Sequence, residues 1–174
     1  MNGPFPPSTT PPQDQRWLVL GYGNELRSDD AVGPLIARAV AAWGDPDVDA
    51  RDLHQLTPEF AEPISRAAVV VFVDAVLASA DVPATMVPLS ADAELQPDGH
   101  LSSPEGLLAM AGQLYGRRPQ AWLLKVPVQS LEFGETLSPL AQRNVEAALA
   151  RLRAHRVDWA SAQSHGQQDS TDQR

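Results

Sequence analysis

Two apolar runs in this chain end on aspartates. Residues 17–30 read Trp-Leu-Val-Leu-Gly-Tyr-Gly-Asn-Glu-Leu-Arg-Ser-Asp-Asp, an apolar strand and a small-residue turn leading to Asp29 and Asp30 where a helix begins. A second run, residues 68–73, stops at Asp74. In a parallel α/β sheet the C-terminal ends of the strands share one rim, and ligands bind there. One aspartate is enough to cap a helix N-terminus, contributing about 1 kcal/mol. The second is free to accept a hydrogen bond, ligate a metal or act as a general base. Taken alone, Asp74 reads as a cap or a loop acceptor.

An imidazole would complete such a site. His100 precedes the third helix in a loop, and His54, which follows the second strand, is its rival; His155 falls in the last helix and His165 in a polar tail. Two carboxylates with one imidazole make an oxygen-and-nitrogen site with open coordination positions, suited to Ni²⁺, Zn²⁺ or Co²⁺. The chain has no cysteine, which removes thiolate ligands, cysteine nucleophiles and disulfides, as suits a reducing cytoplasm. It also lacks H-E-x-x-H, G-x-S-x-G and a P-loop. Peptide-bond chemistry would therefore have to use carboxylates and imidazole, with or without a metal-bound water. Gly21 and Gly23 suggest a dinucleotide turn, but Leu26 stands where the third glycine of G-x-G-x-x-G belongs, and Asp52 near the end of the next strand adds little. A tight turn relieved by glycine is the plainer reading, with a nucleotide- or nucleoside-using enzyme as an alternative.

The elements that must position these residues follow from periodicity. Strands are expected at 17–21, 48–53, 68–73, 85–89 and 121–126. Between the first two lies a helix with Val32, Leu35, Ile36, Ala39, Val40 and Trp43 on one face, Pro34 in its first turn and Gly44 and Pro46 beyond its end. Thr57 with Pro58 opens a second helix, Ser102 or Ser103 with Pro104 a third ending before Gly116, and Ser138 with Pro139 a fourth. This alternation predicts the α/β class, with a mostly parallel sheet of about five strands covered on both faces, a three-layer αβα sandwich.

At 174 residues the chain is long enough for one well-buried domain. Residues 1–16 are proline-rich and residues 161–174 polar, so both are expected to be disordered around a single domain at 17–160. A net charge of −9, from 13 basic and 22 acidic residues, argues against a nucleic-acid or anionic-membrane surface as the main partner. No run approaches the roughly 18 apolar residues of a membrane span, and the N-terminus lacks a signal-peptide pattern. The expectation is a soluble, cytoplasmic protein.

Leu18 to Leu26, then Asp29-Asp30, then Val71-Phe72-Val73-Asp74-Ala75, resembles the hydrogenase maturation proteases, endopeptidases that trim a C-terminal extension from the nickel-iron hydrogenase large subunit. His100 with Pro104 and Leu107-Leu108 is similar to the family's histidine segment, and Val128 to Glu132 with Leu137-Ser138-Pro139 to its C-terminal segment. The resemblance covers residues 17–153. It implies a catalytic and metal-binding trio at Asp30, Asp74 and His100, and substrate contacts at Asn24, His54 and Thr57. It further implies that the trio reads nickel already installed in the precursor and needs no permanent metal of its own; three ligands with no evident fourth form an open site, and the free protein is expected to be a monomer without a tightly held metal. Ala31 replaces a glycine common in the family, and the segment from Asp52 to Thr57 lacks its glycine-rich turn. A non-hydrolytic, nickel-sensing assembly factor of the same fold is the alternative.

Overall fold

Runs such as Leu18-Val19-Leu20 and Val69 to Val73 carry apolar side chains at both parities, so they suit strands buried on both faces, and they become neighbours at the centre of a five-stranded sheet. The computed structural model describes residues 16–78, 81–90 and 101–169, with side chains described to residue 162. In chain order the main elements are β1 (Trp17–Tyr22), α1 (Val32–Ala41), β2 (Val48–Leu53), α2 (Ala61–Arg66), β3 (Val69–Leu77), β4 (Thr85–Leu89), α3 (Pro104–Tyr115), β5 (Gln120–Val128) and α4 (Pro139–Asp169). Short 3₁₀ turns at Ser28–Ala31 and Pro58–Phe60 precede α1 and α2.

The strand order is β2-β1-β3-β5-β4, parallel throughout except for the β4–β5 pair. From β1 the chain crosses through α1 to β2 on one side, then returns through α2 to β3 on the other. The C-terminal ends of β1 and β3 thus form the switch point of the sheet, where connections diverge and leave a crevice. Side-chain alternation divides the core. Val19, Val71 and Val73 pack with Ile36 and Val40 of α1 and Ala148 and Leu152 of α4. Leu18, Leu20, Val70 and Phe72 pack with Ile64 of α2 and Leu107, Leu108 and Ala111 of α3. This is the expected αβα sandwich.

Several local expectations are corrected. β3 continues through Asp74 to Leu77, because β5 goes on pairing with it as far as Leu77 opposite Val128, whereas pairing with β1 stops at Gly21 opposite Val73. Asp74 therefore lies inside a strand, one residue past the last pair that β3 makes with β1. Helix α1 is rotated from its expected face: Gly33 and Ala37 are buried, and Leu35 and Ala39 are only half-buried. The cause is close approach, since a Cβ on Gly21 would lie 2.0 Å from the Gly33 carbonyl oxygen and one on Gly33 would lie 2.2 Å from that of Tyr22. The helix–strand contact that a dinucleotide fold makes through its third glycine is made here by Gly21 against Gly33. Gly33→Ala should cost about 1–3 kcal/mol through overpacking, read as a lower urea midpoint with an unchanged slope.

Of the expected caps, Ser103 accepts from Gly106 N at 3.0 Å, and Ser138 accepts from Ala141 N at 3.1 Å at the head of α4. Thr57 occupies the cap position before Pro58 with extended backbone, but its hydroxyl makes no cap bond. Helix α4 runs through to Asp169, so the composition change near residue 160 does not mark the end of that element. His155 on α4 packs among aromatic rings: its ring lies 4.5 Å from that of Trp122 and 5.5 Å from that of Trp17, and burial holds its pKa below the usual imidazole value against the pull of Asp158. Among the described residues no helix is long and apolar enough to cross a membrane.

Candidate functional site

Strand alternation decides which side chains meet at the crevice. Tyr22 extends the parity of Leu18 and Leu20, and Asp74 that of Val70 and Phe72, so both face α2 and α3. With Gly21 opposite Val73, the next residue of each strand is brought alongside the other, and the Tyr22 hydroxyl donates a hydrogen bond to the Asp74 carboxylate. Burial pushes the Asp74 pKa above the ordinary carboxylate range. The Tyr22 hydrogen bond and the Ala75 amide pull it down, and the Asp30 charge pushes it up. Burial, the Asp74 charge and the hydrogen bond to it, and Glu105 in the first turn of α3 keep the Tyr22 phenol protonated far above its usual range.

Asp30 arrives from the loop. Gly23, with φ of 151°, lets the chain turn tightly against it, since a Cβ there would lie 1.9 Å from the Asp30 carbonyl oxygen. The turn is then fixed from both ends: Asn24 N donates to Asp30 Oδ2 at 2.8 Å, and Leu26 N donates to Asn24 Oδ1 at 3.0 Å. Asn24 Oδ1, expected to face substrate, is occupied as the acceptor of this local turn.

Asp29 does something the sequence did not suggest. It caps neither the 3₁₀ turn nor α1. Fully buried, its Oδ2 accepts from Gln129 N at 3.0 Å, Ser130 N at 3.1 Å and Ser138 Oγ at 2.7 Å, and its Oδ1 accepts from Ser138 N at 2.6 Å. Burial alone would raise its pKa, but these hydrogen bonds outweigh it and hold the carboxyl below its ordinary value. Asp29 therefore clasps the loop between β5 and α4 to the β1–α1 junction, and Asp30 beside it remains open at the crevice. Ser28, with φ of 46°, carries the left-handed backbone that this junction requires, and its N–H reaches the Gly134 carbonyl at 2.7 Å.

Of the expected trio, Asp30 lies near enough to Asp74 for its charge to act on that carboxyl. His100 lies outside the described residues. Among the described residues no cluster of three or more His, Cys, Asp or Glu side chains is arranged to hold a metal ion. His54 and Asn24 line one groove at the same rim, together with Gly23, Glu25, Leu26, Pro34, Asp52 and Leu53, and Thr57 is not among its lining residues. Arg38 spans that groove's wall, paired with Glu25 and, at 3.0 Å, with Asp52.

Comparison with protein-family models and with curated proteins finds no match in either. Comparison with solved structures does. The hydrogenase 2 maturation peptidase of a Thaumarchaeota archaeon superposes with a TM-score of 0.59 at 27% identity, over 79% of this chain and 95% of that one. The chain is similar to the hydrogenase maturation peptidases in fold and over most of its length. An endopeptidase from Escherichia coli matches at 27% identity and TM-score 0.57, over 80% of this chain and 90% of its own length. The E. coli hydrogenase maturating endopeptidase HybD, at 22% identity and TM-score 0.59 over 80% and 91%, shares the fold.

Tyr22, Asp29 and Ser138 are the residues that the motifs did not single out for a role at the site. The parity of β1 could have flagged Tyr22, the one polar-tipped side chain on an otherwise apolar face. Nothing local flags Asp29, whose partners lie about a hundred residues away.

Proposed function

We propose that this peptidase removes the C-terminal extension of a nickel-iron hydrogenase large-subunit precursor after nickel insertion, reading the precursor's metal with Asp30, Asp74 and His100. The observation that carries the reading is the meeting of Asp30 and Asp74 at the switch point of a fold shared with maturation peptidases. Nickel here belongs to the substrate. Two carboxylates and a neutral imidazole can complete the coordination of an ion that arrives with other ligands, which would make cleavage depend on metal insertion. His100 as the third ligand is carried by the resemblance of its segment to the family's histidine segment. The attacking water would be activated either by the metal or by a carboxylate, and Asp74, whose pKa burial raises above the ordinary carboxylate value, suits the second role. His54 and Asn24 in their groove, and Thr57 beyond it, would contact the precursor.

The enzyme is proposed to act as a cytoplasmic monomer without a resident metal. Purified full-length protein should shorten nickel-loaded precursor on a gel and leave nickel-free precursor intact. Co-elution with the loaded precursor without shortening would replace this reading with a metal-sensing assembly factor. Equal cleavage of both precursor forms would remove nickel from the mechanism.

A further inference from the structure

The loop that Asp29 clasps carries the most exposed large apolar side chain among the described residues. Phe133 is 87% exposed, and Leu26, on the β1–α1 turn, is 58% exposed. The two stand on adjoining backbones, because Gly134 N donates to the Leu26 carbonyl at 3.0 Å and Ser28 N to the Gly134 carbonyl at 2.7 Å. Arg27 Nε adds a bond to the Leu131 carbonyl at 3.0 Å. With the bonds to Asp29, this ties the loop near both ends and close to its tip. A Cβ on Gly134 would lie 2.6 Å from Ser28 Oγ, so the glycine is what lets the two chains come this close.

A phenylalanine held in water on so constrained a loop is already ordered for contact, and binding through it forfeits little conformational entropy. Aromatic anchors of this kind dominate interface energetics when they enter a recess and water is excluded around them. The surroundings are acidic on balance. Glu132 and Glu135 flank Phe133 and are exposed, and the Asp30 and Asp74 carboxylates lie near one another at the β1 and β3 ends, against the cation of Arg27 beside Leu26, while Glu25 is paired with Arg38. That charge selects against an acidic partner surface and for a basic one.

We propose that Leu26 and Phe133 form the docking point for the precursor, entering an apolar recess on it that lysine or arginine side chains border. This rests on the function proposed above, and adds which surface of the peptidase sets substrate affinity. Docking beside the crevice would hold the scissile segment over Asp30 and Asp74, and the acidic flank would steer approach.

The test is steady-state cleavage of nickel-loaded precursor by full-length protein carrying Phe133→Ser, Glu132→Lys with Glu135→Lys, or Leu114→Ser. Leu114 is an equally plain exposed apolar side chain, 66% exposed, but it sits in the last turn of α3, which leads into the opposite rim of the sheet. Phe133→Ser should raise KM about tenfold or more while the maximal rate changes far less. The charge reversal should raise KM at low salt and remove its salt dependence. Leu114→Ser should match the parent, and thermal melts should confirm that all three fold. An unchanged KM for Phe133→Ser overturns the proposal. So does a parent that self-associates through this face, shown by a Phe133→Ser monomer that cleaves normally. If the parent neither binds nor cuts loaded precursor, the functional reading itself fails; if the parent cuts and Phe133 does not matter, only the docking point does.

Discussion

Asp74→Asn is expected to stop precursor processing while leaving the protein at least as stable as its parent at neutral pH. Burial raises the pKa of Asp74 in the folded protein above its unfolded value. The folded state therefore binds this proton more tightly than the unfolded one. The corresponding stability is fully present below the unfolded pKa and is lost as pH rises through the folded pKa. At neutral pH the ionised carboxylate is thus a cost that asparagine removes. The amide oxygen can still accept from the Tyr22 hydroxyl, so the contact that orients residue 74 survives. Activity has no such substitute: losing a ligand or general base at the reacting centre should slow cleavage by about 100- to 10,000-fold. Urea unfolding of both proteins at neutral and acidic pH, beside a cleavage assay, checks the pair of outcomes. The stability advantage of the variant should shrink toward acid. Normal processing by Asp74→Asn, or a variant clearly weaker than the parent at neutral pH, would contradict this account.

Asp29→Ala carries the largest expected loss of stability. The substitution removes the acceptor of hydrogen bonds from Gln129 N, Ser130 N, Ser138 N and Ser138 Oγ and leaves those donors in a buried space. Hydrogen bonds to a charged group are worth more than neutral ones, and stranded donors add a desolvation penalty, so a loss of about 3 kcal/mol or more is expected. Asp29→Asn should not rescue it, because an amide presents a donor to part of a set made entirely of donors. The pH dependence is opposite to that at Asp74. The folded pKa of Asp29 is lowered, so its contribution is present above the unfolded pKa and is lost as pH falls through the folded one. Hydrogen exchange at Gln129, Ser130 and Ser138 should accelerate in the variant more than exchange in the central strands. Processing should also fall, since the loop bearing Phe133 would lose its anchor. An Asp29→Ala protein with the parent's midpoint and protected loop amides would show that the clasp is dispensable.

Much of the architecture can be read along the chain. Strands β2 and β4 fall at their expected ends, Ser103 and Ser138 cap the helices they were expected to cap, and the parallel sheet follows from alternation alone. Those features are legible because they rest on period, propensity and local hydrogen bonds. That Asp30 would lie near enough to Asp74 for its charge to act there was suggested by two apolar runs leading to carboxylates. The rotation of α1 was not visible, since an apolar stripe of Leu35 and Ala39 competes on paper with the small residues Gly33 and Ala37. The smaller face wins because backbone must pass close to backbone at Gly21.

The division of labour between adjacent aspartates follows the same logic. Residue types and spacing alone establish that a strand, a glycine turn and two acids form a reactive junction. Nothing nearby distinguishes one acid from its neighbour. Chain crossing at the switch point and the register of β1 on β3 place Tyr22 beside Asp74, and the folding back of the β5–α4 loop delivers its amides to Asp29. Long-range hydrogen bonds to a buried carboxylate depend on where remote backbone comes to rest, which side-chain periodicity does not encode. Consequently one aspartate became a clasp and the other remained open to chemistry.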